Sequence, residues 1–206
     1  MVKLDLRAQI STYRARRGRF DVVEVAPAWF LAIDGTGDPN TSAAYADALA
    51  TIYPVAYALT SLSRNELGRD YGVMPLEALW WSDDMTAFTS ARDKAQWSWT
   101  LLLLTPDWMT DHVETAIETV RRKGRAPAPD AVRLQMLDEG LAAQTLHIGP
   151  YDDEGPVLEA LHREFLPAHG LRMSGRHHEI YLGDPRRAAP EKLRTILRQP
   201  VERVDS

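Results

Sequence analysis

The chain contains no cysteine among its 206 residues. That excludes disulfides, thiol catalysis and thiolate metal sites together, and it suits a reducing cytosol. No apolar run reaches the ~20 residues that a membrane-spanning helix needs. The first residues, MVKLDLRAQISTYRARRGRF, contain no apolar h-region, so neither a signal peptide nor a membrane span is expected, and a cytoplasmic location is. An excess of positive charge is missing too. The formal net charge is −5, which argues against general affinity for nucleic acid or an anionic membrane. The basic runs RARRGR and RRKGR read as solvated surface, with no DNA-reading motif beside them.

Several catalytic signatures are absent as well. There is no His-Glu-x-x-His and no Gly-x-Ser-x-Gly elbow. GTGDPN lacks the third glycine of a dinucleotide loop, and no Walker sequence occurs. The adjacent His177 and His178 point apart on any strand they share, so no metal site and no cofactor is expected. What the chain has in excess is tryptophan: six in all, four of them between Trp80 and Trp99.

Local patterning places the elements. DVVEVAPAWFLAIDGTGDPN reads as an extended pair broken at Pro27 and closed by a turn. From Thr41 or Ser42, either able to cap, TSAAYADALATIYPVAYALTSLSRNEL has helical spacing, with Pro54 expected to kink or split it. VMPLEALWWS and QWSWTLLLLTP are strands joined by a polar loop. DWMTDHVETAIETVRRKGR is an amphipathic helix with acids early and bases late, as the helix dipole favours. Two strands follow around Glu139–Gly140. DEGPVLEALHREFLPAHG is a helix with Pro156 in its first turn and Gly170 past its end. HHEIYLG and LRTILRQPV, linked by DPRRAAPEK, close the chain as strands.

The two halves echo one another. YADALATIYP matches VLEALHREFLP, and LEALWW matches HEIYLG, which pairs Glu77 with Glu179. The expectation is an α+β domain of two pseudo-symmetric strand-helix-strand-strand modules, about residues 20–106 and about 130–204, with a linking helix at about 107–124. Helices would cover one face of each antiparallel sheet. The uncovered faces would then form a concave ligand groove.

Alternation along HHEIYLGDP puts Glu179, Tyr181 and Gly183 on one face and His178, Ile180 and Leu182 on the other. A buried carboxylate must be paired, protonated or hydrogen-bonded, so Glu179 is either a surface acid or the floor of a site, with Tyr181 beside it. Trp80 and Trp81 face opposite sides of their strand. The echo with Glu179 favours Glu77, Leu79 and Trp81 as the groove face, and a slip of one residue would reverse that. Trp97 and Trp99 share a face. Tyr151, at a strand-to-helix turn, is a candidate rim residue.

The run GRHHEIYLGDPRRAAPEKLRTILRQPV resembles the C-terminal signature of the GyrI-like small-molecule-binding proteins. AIDGTGDPN, VMPLEALWW and EGLAAQTLHIGPYDDEGP are similar to further segments of that family. The resemblance implies its effector-binding-domain fold and a site formed by Glu179, Tyr181, Trp80, Trp81, Trp99, Tyr151 and Glu77. It implies flat hydrophobic, often cationic ligands, of the kind that multidrug sensors bind. It equally implies an alternative, since one stand-alone branch hydrolyses DNA-alkylating cyclopropane natural products in an aromatic cage. In that case Glu179 and Tyr181 would be catalytic. Ala78 stands where the family has glycine, and its methyl is expected to narrow the groove.

Overall fold

The computed structural model describes residues 2–82, 94–184 and 187–204. The polar loop expected after Trp81 lies largely outside them, as do two residues of the DPRRAAPEK link.

The strands are β1 (Lys3–Leu4), β2 (Asp21–Val25), β3 (Ala28–Thr36), β4 (Asp70–Tyr71), β5 (Leu76–Trp81), β6 (Ser98–Thr105), β7 (Arg133–Leu137), β8 (Gly140–Ile148), β9 (Leu171–Met173), β10 (His177–Tyr181) and β11 (Arg194–Arg203). The helices are α1 (Leu6–Gln9), α2 (Ala43–Glu66), α3 (Val113–Lys123), α4 (Gly155–Ala160) and α5 (Leu166–Ala168), with a π-turn, Leu161–Phe165, joining the last two. Ser42 caps α2 by accepting from the Tyr45 N–H. Pro54 lies inside α2 without splitting it. A 3-10 turn over Asp107–His112 takes the first part of the expected linking helix, and Gly124 (φ 59°) ends α3 in the left-handed conformation that glycine adopts without strain.

One large sheet runs β2-β8-β11-β10-β5-β6-β3-β7, with β9 paired to the far end of β11. Every pairing in it is antiparallel. The extended pair read around Pro27 does not stay together, because β2 joins β8 while β3 joins β6 and β7. Likewise β7 and β8 leave Glu139–Gly140 for opposite ends of the sheet.

This exchange bends the sheet. Only Ala26 and Pro27 separate β2 from β3, a reach of at most ~11 Å. In a flat sheet six strand spacings would set them ~29 Å apart, so the sheet must curl. Phe30, Ala32, Leu79 and Leu102 are buried and, among the described residues, form a cluster with other strand residues such as Leu104 and Leu137 and with no helical residue. They line the inside of the curl. The N-terminal segment plugs its other part, where Leu6, Ile10 and Tyr13 meet Leu146, Ile180 and Ile196.

The outer face carries the helices. On one half α2 and α3 bury Ile52, Val55, Leu59, Ile117 and Val120 against Leu31, Ile33, Leu101 and Leu103. On the other half Leu161 and Leu166 cover Ala143 and Val201. Trp99 fills the outer core so tightly that a Cβ at Gly35 would fall 2.1 Å from its ring. Gly35→Ala is therefore expected to destabilise the fold by about 1–3 kcal/mol, as overpacking does, read as a lower urea midpoint at unchanged slope.

Candidate functional site

The halves of the outer face leave a gap between α2 and α4, over β5 and β10. The gap is a cavity of about 1980 Å³. Tyr45, Leu49 and Tyr53, four residues apart on α2, form one wall. Trp80, Trp97 and Tyr151 form others, and Glu179 and Tyr181 lie at the floor.

Register decides who faces the cavity. Glu179 pairs with Ala78, and His177 with Trp80. Residues directly opposite on paired strands share a face, so His177, Glu179, Tyr181, Ala78 and Trp80 all point outward, toward the helices. This corrects the expected groove in two ways. The site lies on the helix-bearing face, because the curl closes the other face upon itself. Trp80, not Trp81, stands over it, because Glu77 is matched with Ile180 rather than with Glu179. Trp81 faces the opposite side, where the Arg176 guanidinium stacks 3.6 Å from its ring centre. Trp99 has the right parity but is wholly buried behind the wall. Its neighbour on that face, Trp97, reaches the cavity instead. The Ala78 methyl is also wholly buried, in the core rather than on a cavity wall. Replacing Trp80 with Ala should abolish most of the ligand-dependent fluorescence change, and Trp81→Ala should leave it intact.

A hydrogen-bond chain runs along the floor. The Trp80 indole N–H donates to the Tyr181 hydroxyl at 3.0 Å. Tyr181 in turn donates to Glu179 Oε2 at 2.7 Å. The other Glu179 oxygen lies 3.4 Å from His177 Nε2. Glu154, 4 % exposed, hydrogen-bonds the same carboxylate from the turn before α4. Burial pushes the Glu179 carboxyl up, but His177, Tyr181 and Glu154 together bring it below the usual glutamate range. Glu179 is thus ionised inside an aromatic cavity. Burial pushes the Tyr181 phenol well above its ordinary value, with the Glu179 charge adding to it. It pushes Tyr151 up to about 12. Both remain proton donors at neutral pH. His162, in the π-turn, also lines the cavity, and burial with the nearby charge of His177 lowers it to about 4, so it is neutral.

The aromatic rings pack on one another. Tyr45 stacks on Trp80 at 6.2 Å, Trp97 meets Trp80 edge-on at 5.6 Å, and Tyr151 meets Tyr181 edge-on at 5.5 Å. At the mouth Lys94 Nζ reaches Asp152 across the two halves at 2.7 Å. Among the described residues no group of three His, Cys, Asp or Glu is arranged to hold a metal ion, and no helix is long and apolar enough to cross a membrane.

Glu77 belongs to a different cluster, inside the curl. It is 1 % exposed, accepts from the Tyr13 hydroxyl and lies 3.0 Å from His178 Nε2. His178 Nδ1 reaches Glu139 at 2.9 Å, and Glu139 in turn meets Arg198 at 2.8 Å. Arg198 also donates to the Thr12 carbonyl and to Gln144. The cluster ties the N-terminal plug to four strands, β5, β8, β10 and β11, so Glu77 serves the fold and not the cavity.

Tyr45, Tyr53, Trp97, Glu154, His162 and His177 went unread as site residues. His177 was within reach, since it sits two residues before Glu179 on the same strand. The four-residue spacing of Tyr45, Leu49 and Tyr53 was also legible. Glu154 carried no signal beyond an acidic turn.

A family model described as the GyrI-like small molecule binding domain matches residues 19–202. Among solved structures, a conserved protein from Listeria innocua is 33 % identical, with a TM-score of 0.87 over 98 % of this chain and 100 % of that one. A hydrolase from Listeria innocua is similar at 33 % identity and a TM-score of 0.86, again over 98 % and 100 %. The C-terminal domain of EcmrR shares the fold at 12 % identity and a TM-score of 0.57, over 90 % of this chain and 98 % of that one. No curated protein matches the chain.

Proposed function

Since the chain belongs to the GyrI-like small molecule binding domain family, we propose that it binds flat, hydrophobic, conjugated molecules in the aromatic cavity and hydrolyses them. The observation that carries this reading is the ionised Glu179 at the end of the Trp80–Tyr181 hydrogen-bond chain. A carboxylate so placed can orient a water and take its proton. The Listeria innocua relative named as a hydrolase supports it.

The substrate class we propose is a strained cyclopropane fused to a conjugated system, as in DNA-alkylating natural products. A water oxygen–carbon bond forms as a ring carbon–carbon bond breaks. The electron pair passes into the conjugated system, which gains a proton from solvent. Glu179 takes the proton that water loses. Tyr181 and Trp80 hold Glu179 in place, and Tyr45, Trp97 and Tyr151 bracket the flat rings. The role is detoxification in the cytoplasm, and we place the two strand-helix-strand-strand halves as modules of one domain around this site.

A second reading, sequestration without turnover, is favoured by the size of the cavity. It exceeds the roughly 300–1,000 Å³ of ordinary ligand pockets, which suits a broad ligand range. Tryptophan fluorescence with product analysis separates the two. A cyclopropane-bearing alkylator should quench, and the quench should decay as a ring-opened, water-added product accumulates. Stable quenching with unchanged ligand would leave sequestration alone.

A further inference from the structure

Two hydroxyl groups of the cavity wall stand outside the hydrogen-bond chain along the floor. Tyr181 has one hydroxyl proton and gives it to Glu179, and the Trp80 N–H goes to Tyr181. Neither proton is left for a ligand. Tyr45 and Tyr151 differ. Both line the cavity, and among the described residues the hydroxyl of neither makes a hydrogen bond. Neither oxygen is sealed in the interior, so each faces open space. The two come from opposite halves of the outer face, Tyr45 from α2 and Tyr151 from the turn Tyr151–Glu154 before α4. Yet they flank one spot. The Tyr45 ring lies on Trp80 at 6.2 Å and the Tyr151 ring meets Tyr181 at 5.5 Å, while Trp80 and Tyr181 are joined at 3.0 Å. A phenol is protonated at neutral pH, so each wall offers one uncommitted donor.

We infer that the Tyr45 and Tyr151 hydroxyls are the donors that hold a carbonyl oxygen of the ligand, so that the cavity selects flat conjugated carbonyl compounds over flat hydrocarbons of the same shape. Water satisfies such donors in an unfilled cavity. An apolar ring displaces that water and leaves the hydroxyls unpaired, a cost that a carbonyl with its two lone pairs avoids. A site built around such donors rejects the analogue that lacks the acceptor. The inference rests on the reading of the cavity as a small-molecule site. Taken with the hydrolase reading, it names the group that the substrate carries: a carbonyl conjugated with the cyclopropane. As the water oxygen bonds to a ring carbon and the ring carbon–carbon bond breaks, the electron pair runs to that carbonyl oxygen. The two hydroxyls stabilise the charge there until the oxygen takes a proton from solvent. Glu179 takes the proton that the water loses.

The test uses fluorenone and fluorene, which share a flat three-ring skeleton and differ by one carbonyl, titrated into the full chain at neutral pH by tryptophan quenching. Tyr45→Phe together with Tyr151→Phe keeps both rings and removes both donors. The fluorenone-to-fluorene affinity ratio should fall about tenfold in that double variant. The infrared carbonyl band of bound fluorenone should lie below its position in an apolar solvent, and shift back toward it in the variant. Turnover of a cyclopropane-bearing alkylator should fall about 10²-fold, mainly in kcat. An unchanged ratio in the folded variant overturns the inference and leaves the cavity a small-molecule site. If the variant fails to fold, the band in the unaltered protein decides, and a band at its apolar-solvent position overturns the inference. Absence of turnover with the ratio and band as expected removes the hydrolase reading and upholds the carbonyl site. Quenching by neither probe removes the small-molecule reading and this inference with it.

Discussion

Glu179→Gln should leave the ligand bound and stop its conversion. Glutamine keeps the shape of the side chain and an oxygen that can accept from Tyr181, but it cannot take a proton from water. Turnover of a cyclopropane-bearing alkylator should fall by about 10²–10⁴-fold, the usual worth of a positioned general base. The dissociation constant of a neutral flat ligand should stay within about threefold. The check is product formation alongside fluorescence titration on the same samples. Unchanged turnover would remove Glu179 from the chemistry. Lost binding with the fold intact would make it a ligand anchor instead. Tyr181→Phe is the companion variant. It removes the donor to Glu179 and interrupts the chain from Trp80, so a smaller loss, about tenfold, is expected.

His178→Ala should destabilise the fold strongly. His178 is wholly buried between Glu77 and Glu139, with both ring nitrogens facing carboxylate oxygens. Nδ1 hydrogen-bonds Glu139 and Nε2 lies within ion-pair distance of Glu77, and these two carboxylates hold the imidazole protonated. Its removal leaves two carboxylates in the curl with, among the described residues, Tyr13 on Glu77 and Arg198 on Glu139 as partners. Breaking a buried ion network in this way costs about 3–5 kcal/mol, measured as a lower urea midpoint. A drop below about 1 kcal/mol would mean that the network adds nothing beyond packing.

The same cluster gives the stability a pH window. Burial lowers His178, but the charge and hydrogen bonds of Glu139 and Glu77 win and raise it to about 9. Its contribution is whole below its unfolded value of 6.5 and disappears as pH rises through 9. Burial raises Glu139, but His178 and Arg198 win and lower it to about 2. Its contribution is whole above its unfolded value of 4.5 and disappears as pH falls through 2. The two shifts describe one shared interaction and are not added. Urea midpoints across pH should therefore be highest between about 4.5 and 6.5 and decline toward 9. In His178→Ala the alkaline decline should shrink.

The family and the α+β class were legible because they rest on local signals. Strand alternation, the Ser42 cap, Pro156 in a first turn and Gly170 after a helix each depend on a few neighbouring residues, and each stands in the structure. The even spacing inside HHEIY also placed Glu179 and Tyr181 together on one face, since that needs only the pleat. What alternation cannot supply is the partner strand. Trp80 and Trp81 were equivalent until β10 was set against β5 with Glu179 opposite Ala78. The echo of LEALWW with HEIYLG suggested a register one residue away, which turned Glu77 and Trp81 toward the wrong side.

The sequence by itself determined the long strands and helices, that no thiol is available, and that a carboxylate and a phenol stand side by side on one strand. All of these follow from residue type and short-range geometry. The tertiary structure alone decided that β2 and β7 trade halves, that the sheet curls shut and sends the site to the helix side, and that Glu154 and His177 meet Glu179. Each of these joins residues far apart in the chain or fixes the face they share. Their positions are set by strand pairing and by the short links at Pro27 and Glu139, which no local pattern encodes.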